Sequence, residues 1–248
     1  MTLLLPKALL PDVRARLRER FIFNYAIPPR ALEARLPSWL SPQLVNGRAI
    51  ASFCILHLDE ISVSAWPSRL GVSGLHGAHR FGVVDRSSRP AVYVEERLAG
   101  SPWAAAVTRT GFPGRHAPVM IEVARAETGE ARSIRVARPD GALVFAARLA
   151  TGGAALAPVA PVFPTAEDFA RFLREGTVSY APSIDPERLN RVDLAKEENA
   201  YAELEVAAIE DPVIEELTGA PASESFVGAW RTSGGRYVWS YRGAVPAR

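Results

Sequence analysis

Val136-Ala137-Arg138-Pro139-Asp140-Gly141-Ala142-Leu143-Val144 sets the fold class of this chain, because an Asp-Gly pair stands between two alternating runs. Glycine takes positive φ at no steric cost and aspartate tolerates turn geometry, so the pair closes an antiparallel hairpin. Short runs of the same kind extend on both sides, at 79–85, 90–98, 119–124, 133–138 and 142–149, with turn signals such as Ser87-Ser88-Arg89-Pro90 between them. Strand patterns return at 177–180, 200–208 and 236–242. Residues 48–58 are apolar on both faces of the alternation, which predicts a strand covered on two sides.

Helical signals are fewer. Residues 14–20 are charged and helix-compatible, and they lead into the aromatic and β-branched strand Phe21-Ile22-Phe23-Asn24-Tyr25-Ala26-Ile27. Pro28-Pro29 ends that strand, and Leu32 and Leu36 share one face of a short helix over 29–36 that Pro37 stops. Thr165 caps a helix with early acids that runs through Leu173, and another short helix lies near 212–217. Nothing alternates as β-α-β units. The class is therefore α+β, a mainly antiparallel, barrel-like sheet with a few flanking short helices, expected as a single domain over 1–248.

At 248 residues and 48% hydrophobic content the chain can bury a substantial core. No apolar run reaches 18 residues, and Pro6 and Lys7 interrupt the apolar start, so neither a membrane span nor a signal peptide is expected and a cytoplasmic location is. A single cysteine, Cys54, excludes an internal disulfide and reads as a buried thiol. With a net charge of +2 and arginines scattered among 27 acids, the chain has no basic stripe for nucleic acid. No nucleotide, dinucleotide or serine-hydrolase motif is present, and no cofactor is implied.

Several residues have the chemistry of a small-molecule site. His116 follows a Pro-Gly turn at the mouth of a strand, where an imidazole can act as acid, base or hydrogen-bond donor. Tyr93, Glu95 and Arg97 alternate and so share one face of a predicted strand. Arg80, Arg109 and Arg115 are candidate carboxylate clamps, because the guanidinium fork matches a carboxylate. His76 and His79 have H-x-x-H spacing but no third ligand, so no metal is assigned. Tyr237, Trp239 and Tyr241 form an aromatic stripe expected in the core or at a subunit interface.

Two segments resemble the acetoacetate-decarboxylase-like superfamily, nearest its uncharacterised YqjF-like branch. One is Arg18-Glu19-Arg20-Phe21 with Pro28-Pro29-Arg30-Ala31-Leu32-Glu33-Ala34-Arg35-Leu36-Pro37; the other is Val92-Tyr93-Val94-Glu95-Glu96-Arg97 with Arg109-Thr110-Gly111-Phe112-Pro113-Gly114-Arg115-His116. The likeness extends to about residue 150. It implies a cone-shaped barrel, a buried pocket for a small organic acid or carbonyl compound, and a homo-oligomer. It also implies pocket roles for Arg18, Phe112 and Gly114 beside Tyr93, Arg109, Arg115, Glu95 and His116. Gly114 stands where those decarboxylases carry their imine-forming lysine, Arg115 where they carry a second lysine, and Ile50 where a glutamate is expected. Lys7 and Lys196, the only lysines, are remote from this turn in sequence. The resemblance therefore implies acid–base chemistry, such as enolisation, hydration or dehydration on a keto or hydroxy acid. The alternative is a non-catalytic ligand-binding or assembly module.

Overall fold

Residues 13–27 form one long strand, so the charged stretch 14–20 is not helical. Val13, Ala15 and Leu17 are buried while Arg14, Arg16 and Arg18 are exposed, a period of two that the sheet imposes over local helical preference. The computed structural model describes residues 10–65, 71–103, 106, 114–150, 152, 154–159, 162–197 and 200–246. Its strands are β1 (Val13–Ile27), β2 (Ser41–Pro42), β3 (Leu44–Val45), β4 (Arg48–Val63), β5 (Val72–Val84), β6 (Pro90–Tyr93), β7 (Glu96–Ala99), β8 (Arg115–Pro118), β9 (Met120–Arg125), β10 (Ala131–Ala137) and β11 (Leu143–Leu149). They continue with β12 (Val178–Pro182), β13 (Arg188–Lys196), β14 (Ala202–Leu204), β15 (Val206–Glu210), β16 (Phe226–Thr232) and β17 (Arg236–Pro246). The described α-helices are α1 (Pro29–Glu33), α2 (Ala166–Glu175) and α3 (Pro212–Thr218), and none is long and apolar enough to cross a membrane.

Strands β1, β17, β13, β12, β6, β5 and β4 close on themselves through a β4–β1 pairing, forming a barrel. All of these neighbours are antiparallel except β6 and β12. A second antiparallel sheet, β15-β11-β10-β9, packs on the outside of the barrel wall. The hairpin read at Asp140-Gly141 joins β10 and β11, with Gly141 at φ 91° and the Arg138 N–H bonded to the Ala142 carbonyl. Thr165 caps α2 by accepting from the Asp168 N–H, and Asp211 caps α3 by accepting from the Ile214 N–H.

The wall strand β4 divides two cores. Ala49, Ala51, Phe53 and Ile55 face the second sheet, whereas Cys54, Leu56 and Leu58 face the lumen. Tyr237, Trp239 and Tyr241 all turn into the lumen core, so the aromatic stripe is interior. Between the two sheets Phe145 stacks on Phe53 at 4.3 Å and meets Phe23 at 4.7 Å, fully buried. Phe145→Ala is expected to cost about 3–5 kcal/mol in urea unfolding, because the cavity it leaves is walled by rigid strands on both sides.

Candidate functional site

The lumen holds a chamber of about 90 Å³ whose polar lining is cationic or neutral. His76 and Arg80 come from β5, Arg97 from β7 and His116 from β8, while Leu56, Leu58, Val92, Leu194 and Trp239 supply apolar walls. Arg97 and His116 are register partners in the parallel pair β7–β8, so both side chains reach the same face. A smaller chamber of about 30 Å³ adjoins it, lined by Arg20, Ser52, Arg80 and Lys196. No aspartate or glutamate lines either chamber among the described residues.

This lining follows from two irregularities. The first is a bulge in β1. Leu17 pairs with Leu58 and Glu19 with His57, so Arg18 is the extra residue and the alternation changes phase there. Leu17 points inward before the bulge and Arg20 after it. Arg18 itself is turned out and ion-pairs with Asp59 at 2.8 Å, so it lies outside the pocket role expected of it. The second is the break between β6 and β7 at Val94-Glu95. It parts Arg97 from Tyr93 and Glu95, which unbroken alternation would put on its face: Tyr93 joins the core between the sheets near Glu95, Glu95 pairs with Arg35 at 2.8 Å, and Arg97 lines the chamber.

Neighbours on a strand point oppositely, so Arg115 and His116 part company as well. Arg115 lines a separate cavity with Arg35, Glu95, Glu96 and Arg138, where acids and bases are matched by the Arg35–Glu95 and Arg138–Glu96 ion pairs. His79, three residues from His76 on β5, faces this other side and bonds Asp211 at 2.8 Å. The two histidines thus cannot share a metal, and no metal-binding cluster occurs among the described residues. Arg109 and Phe112 lie outside the described residues.

Gly114 has φ 142°, and a Cβ there would stand 3.0 Å from the Nη1 of Arg97 and 3.4 Å from the Cβ of Ala181. The absence of a side chain at 114 is what lets the Arg97 guanidinium occupy that space. Burial first, and the Arg80 cation second, push Arg97 down to about 10, so it stays protonated at neutral pH. Arg80 is likewise lowered, burial outweighing the Cys54 thiol that favours its charge, and its Nε has no partner among the described residues. Burial would raise the Cys54 thiol, but Arg20, Arg80 and Lys196 together hold it below its ordinary range, and the Arg20 Nε donates to Cys54 Sγ at 3.1 Å. Burial pushes His76 down to about 4, and its Nε2 has no partner among the described residues. The chamber is thus lined by two guanidinium groups, Arg80 and Arg97, and two imidazoles, His76 and His116.

The family model described as DUF2071, an uncharacterized conserved protein (COG2071), matches residues 14–229. No curated protein matches the chain in sequence. Three solved structures share its fold at 13–15% identity. They are acetoacetate decarboxylase from Legionella pneumophila (13% identity, TM-score 0.64, 95% of this chain and 87% of that one), the enduracididine biosynthesis enzyme MppR complexed with pyruvate (15%, 0.59, 96% and 90%), and an acetoacetate decarboxylase-like enzyme from Sphingomonas wittichii RW1 (15%, 0.58, 99% and 98%).

The depressed His76 carries a pH signature. The unfolded chain takes up a proton near 6.5 and the folded chain only near 4, so folding stability present above 6.5 drains away as pH falls toward 4. The full drop is on the order of 3 kcal/mol. Asp59 and Asp85, held below their ordinary carboxylate range, lose their contribution only at lower pH. His76→Gln is expected to flatten the Tm-against-pH curve between 6.5 and 4, whereas an unchanged slope would remove His76 as its source.

Proposed function

Because the chain belongs to the DUF2071 family and shares the fold of acetoacetate decarboxylase-like enzymes, we propose that its barrel chamber binds a small keto or hydroxy acid and moves a proton on it. The observation that carries this reading is the buried Arg80, whose Nε has no partner among the described residues, in a chamber whose described lining residues include no carboxylate. Buried charge is costly unless paired, and a ligand carboxylate is the partner whose geometry fits the guanidinium fork. Pyruvate, named with the MppR structure, is a reasonable first ligand to try.

In this reading Arg97 and Arg80 hold the carboxylate, and the neutral His76 donates a hydrogen bond to the carbonyl oxygen. His116 removes the proton from the adjacent carbon. The C–H electron pair becomes the C=C bond of an enolate, and the negative charge that develops on oxygen is held by His76 and the neighbouring guanidinium. The same groups suit addition or loss of water across the enol. His116 keeps the acid–base role that the sequence reading gave it, while Arg80 and Arg97 take over from Arg18 and Arg115.

Loss of pyruvate methyl protons in deuterium oxide, followed by NMR, tests this. His116→Ala is expected to slow exchange about a hundredfold or more with binding nearly intact, and Arg97→Met to weaken binding about tenfold or more. Binding without any exchange would leave the ligand-binding module as the better reading. Borohydride added with pyruvate provides an independent test. An unchanged protein mass is expected, and an adduct on Lys196 would replace acid–base chemistry by imine chemistry from a different wall of the barrel.

A further inference from the structure

We infer that the cavity lined by Arg115, outside the barrel chamber, is a second binding site and that it takes a zwitterion, an α-amino acid with an apolar side chain. Its volume is about 250 Å³, and beside its arginines and glutamates the wall includes Leu98, Val144 and Val213. A cavity of about 150 Å³ already holds a benzene-sized group, so there is room for a leucine. His79, Glu96 and Arg115 are the chain neighbours of Arg80, Arg97 and His116. The cavity therefore backs onto the chamber across β5, β7 and β8, and the two have no polar residue in common among the described residues.

The charges point to a ligand of both signs. Glu96 and Arg115 are register partners in the parallel pair β7–β8, so an acid and a base leave the sheet side by side on one face. They are not paired with each other: Glu96 turns to Arg138 at 2.6 Å, and the exposed Arg115 makes no hydrogen bond or ion pair among the described residues. Arg35 and Arg138 bond only Oε2 of Glu95 and Glu96, which leaves Oε1 of both glutamates as an acceptor. His79 uses Nε2 on the buried Asp211, so its Nδ1 is the ring nitrogen left to accept. Neither sign is in clear excess, since Arg35 also meets the exposed Glu216 at 3.6 Å. A simple anion would meet the glutamates and a simple cation the arginines. An α-amino acid instead places its carboxylate on Arg115 and its ammonium on the Oε1 atoms, with its side chain against Val144 and Val213.

Calorimetry at neutral pH with L-leucine and its two halves tests the inference: 4-methylpentanoate keeps the carboxylate and loses the ammonium, and 3-methylbutylamine does the reverse. Leucine is expected to bind about tenfold or more tightly than either, as for one added charge-assisted contact. Arg115→Met and Glu96→Gln, both at side chains outside the core, should each bring leucine down to the level of its halves. Arg97→Met, which alters the chamber, should leave leucine binding as it was while it weakens pyruvate. Leucine binding no tighter than its halves, or not at all, would overturn the zwitterion site and leave the chamber reading standing. A preference that survives both Arg115→Met and Glu96→Gln, or that Arg97→Met removes, would overturn it too, because the zwitterion would then lie elsewhere.

Discussion

Arg80 and Arg97 sit inside a barrel with no carboxylate among the described lining residues, and the desolvation of charge costs several kcal/mol per ion even after relaxation. The rest of the lumen has to offset that cost. Much of its wall is large and apolar: Trp239 and Tyr237 pack at 5.5 Å, and Phe169 stacks on Trp230 at 3.9 Å where α2 covers the barrel. Such packing both supplies stability and lowers the local dielectric, which strengthens any contact between the guanidinium groups and an anion. Under the proposed carboxylate binding, such a site gives up stability in the empty protein, and a ligand that binds only the folded chain restores it.

The position of the cation is as telling as its presence. The resemblance to the decarboxylases implies an amine on this turn, where the chain has Gly114, and the guanidinium of Arg97 reaches from β7 to 3.0 Å from where a Cβ at 114 would stand. An arginine keeps the electrostatics of that spot and removes its nucleophilicity, since the guanidinium does not lose its proton under ordinary conditions. Lys196, at the end of β13, lines the smaller chamber with Arg20 and Arg80.

The hairpin, the central strand β4 and the cap of α2 were legible because each rests on local rules: Asp-Gly for the turn, a doubly apolar run for a strand buried on both faces, and Thr165 before two acids for the helix start. The placement of His116 in the chamber lining follows from a local signal too, the Pro-Gly pair before β8. The facing of Arg18, Glu95 and Arg97 was not legible. It depends on where the alternation breaks, and the residues after each break are apolar or charged on both faces, which erases the phase. Lys196 lies far along the chain from the candidate residues, yet the pairing of β13 with β17 and of β17 with β1 brings it beside Arg20 and Arg80. His76 and Arg80 share a parity that could have been read once residues 72–78 were recognised as strand.

Phase is therefore the variable on which this site turns, and the fold fixes it from outside the lumen. At the β1 bulge, Arg20 goes in and Glu19 goes out, where it is buried between Arg125 of β9 and Arg231 of β16. Without the extra residue the strand would set Glu19 in the lumen and Arg20 on the outer face, leaving three arginines crowded together and a carboxylate pressed against the Cys54 thiol. The outer ion pairs and the inner cation thus belong to one arrangement. Glu19 holds the bulge by bridging the barrel to the second sheet, and the bulge delivers Arg20 to Cys54. The charge of the chamber is in this way governed by a carboxylate that never enters it.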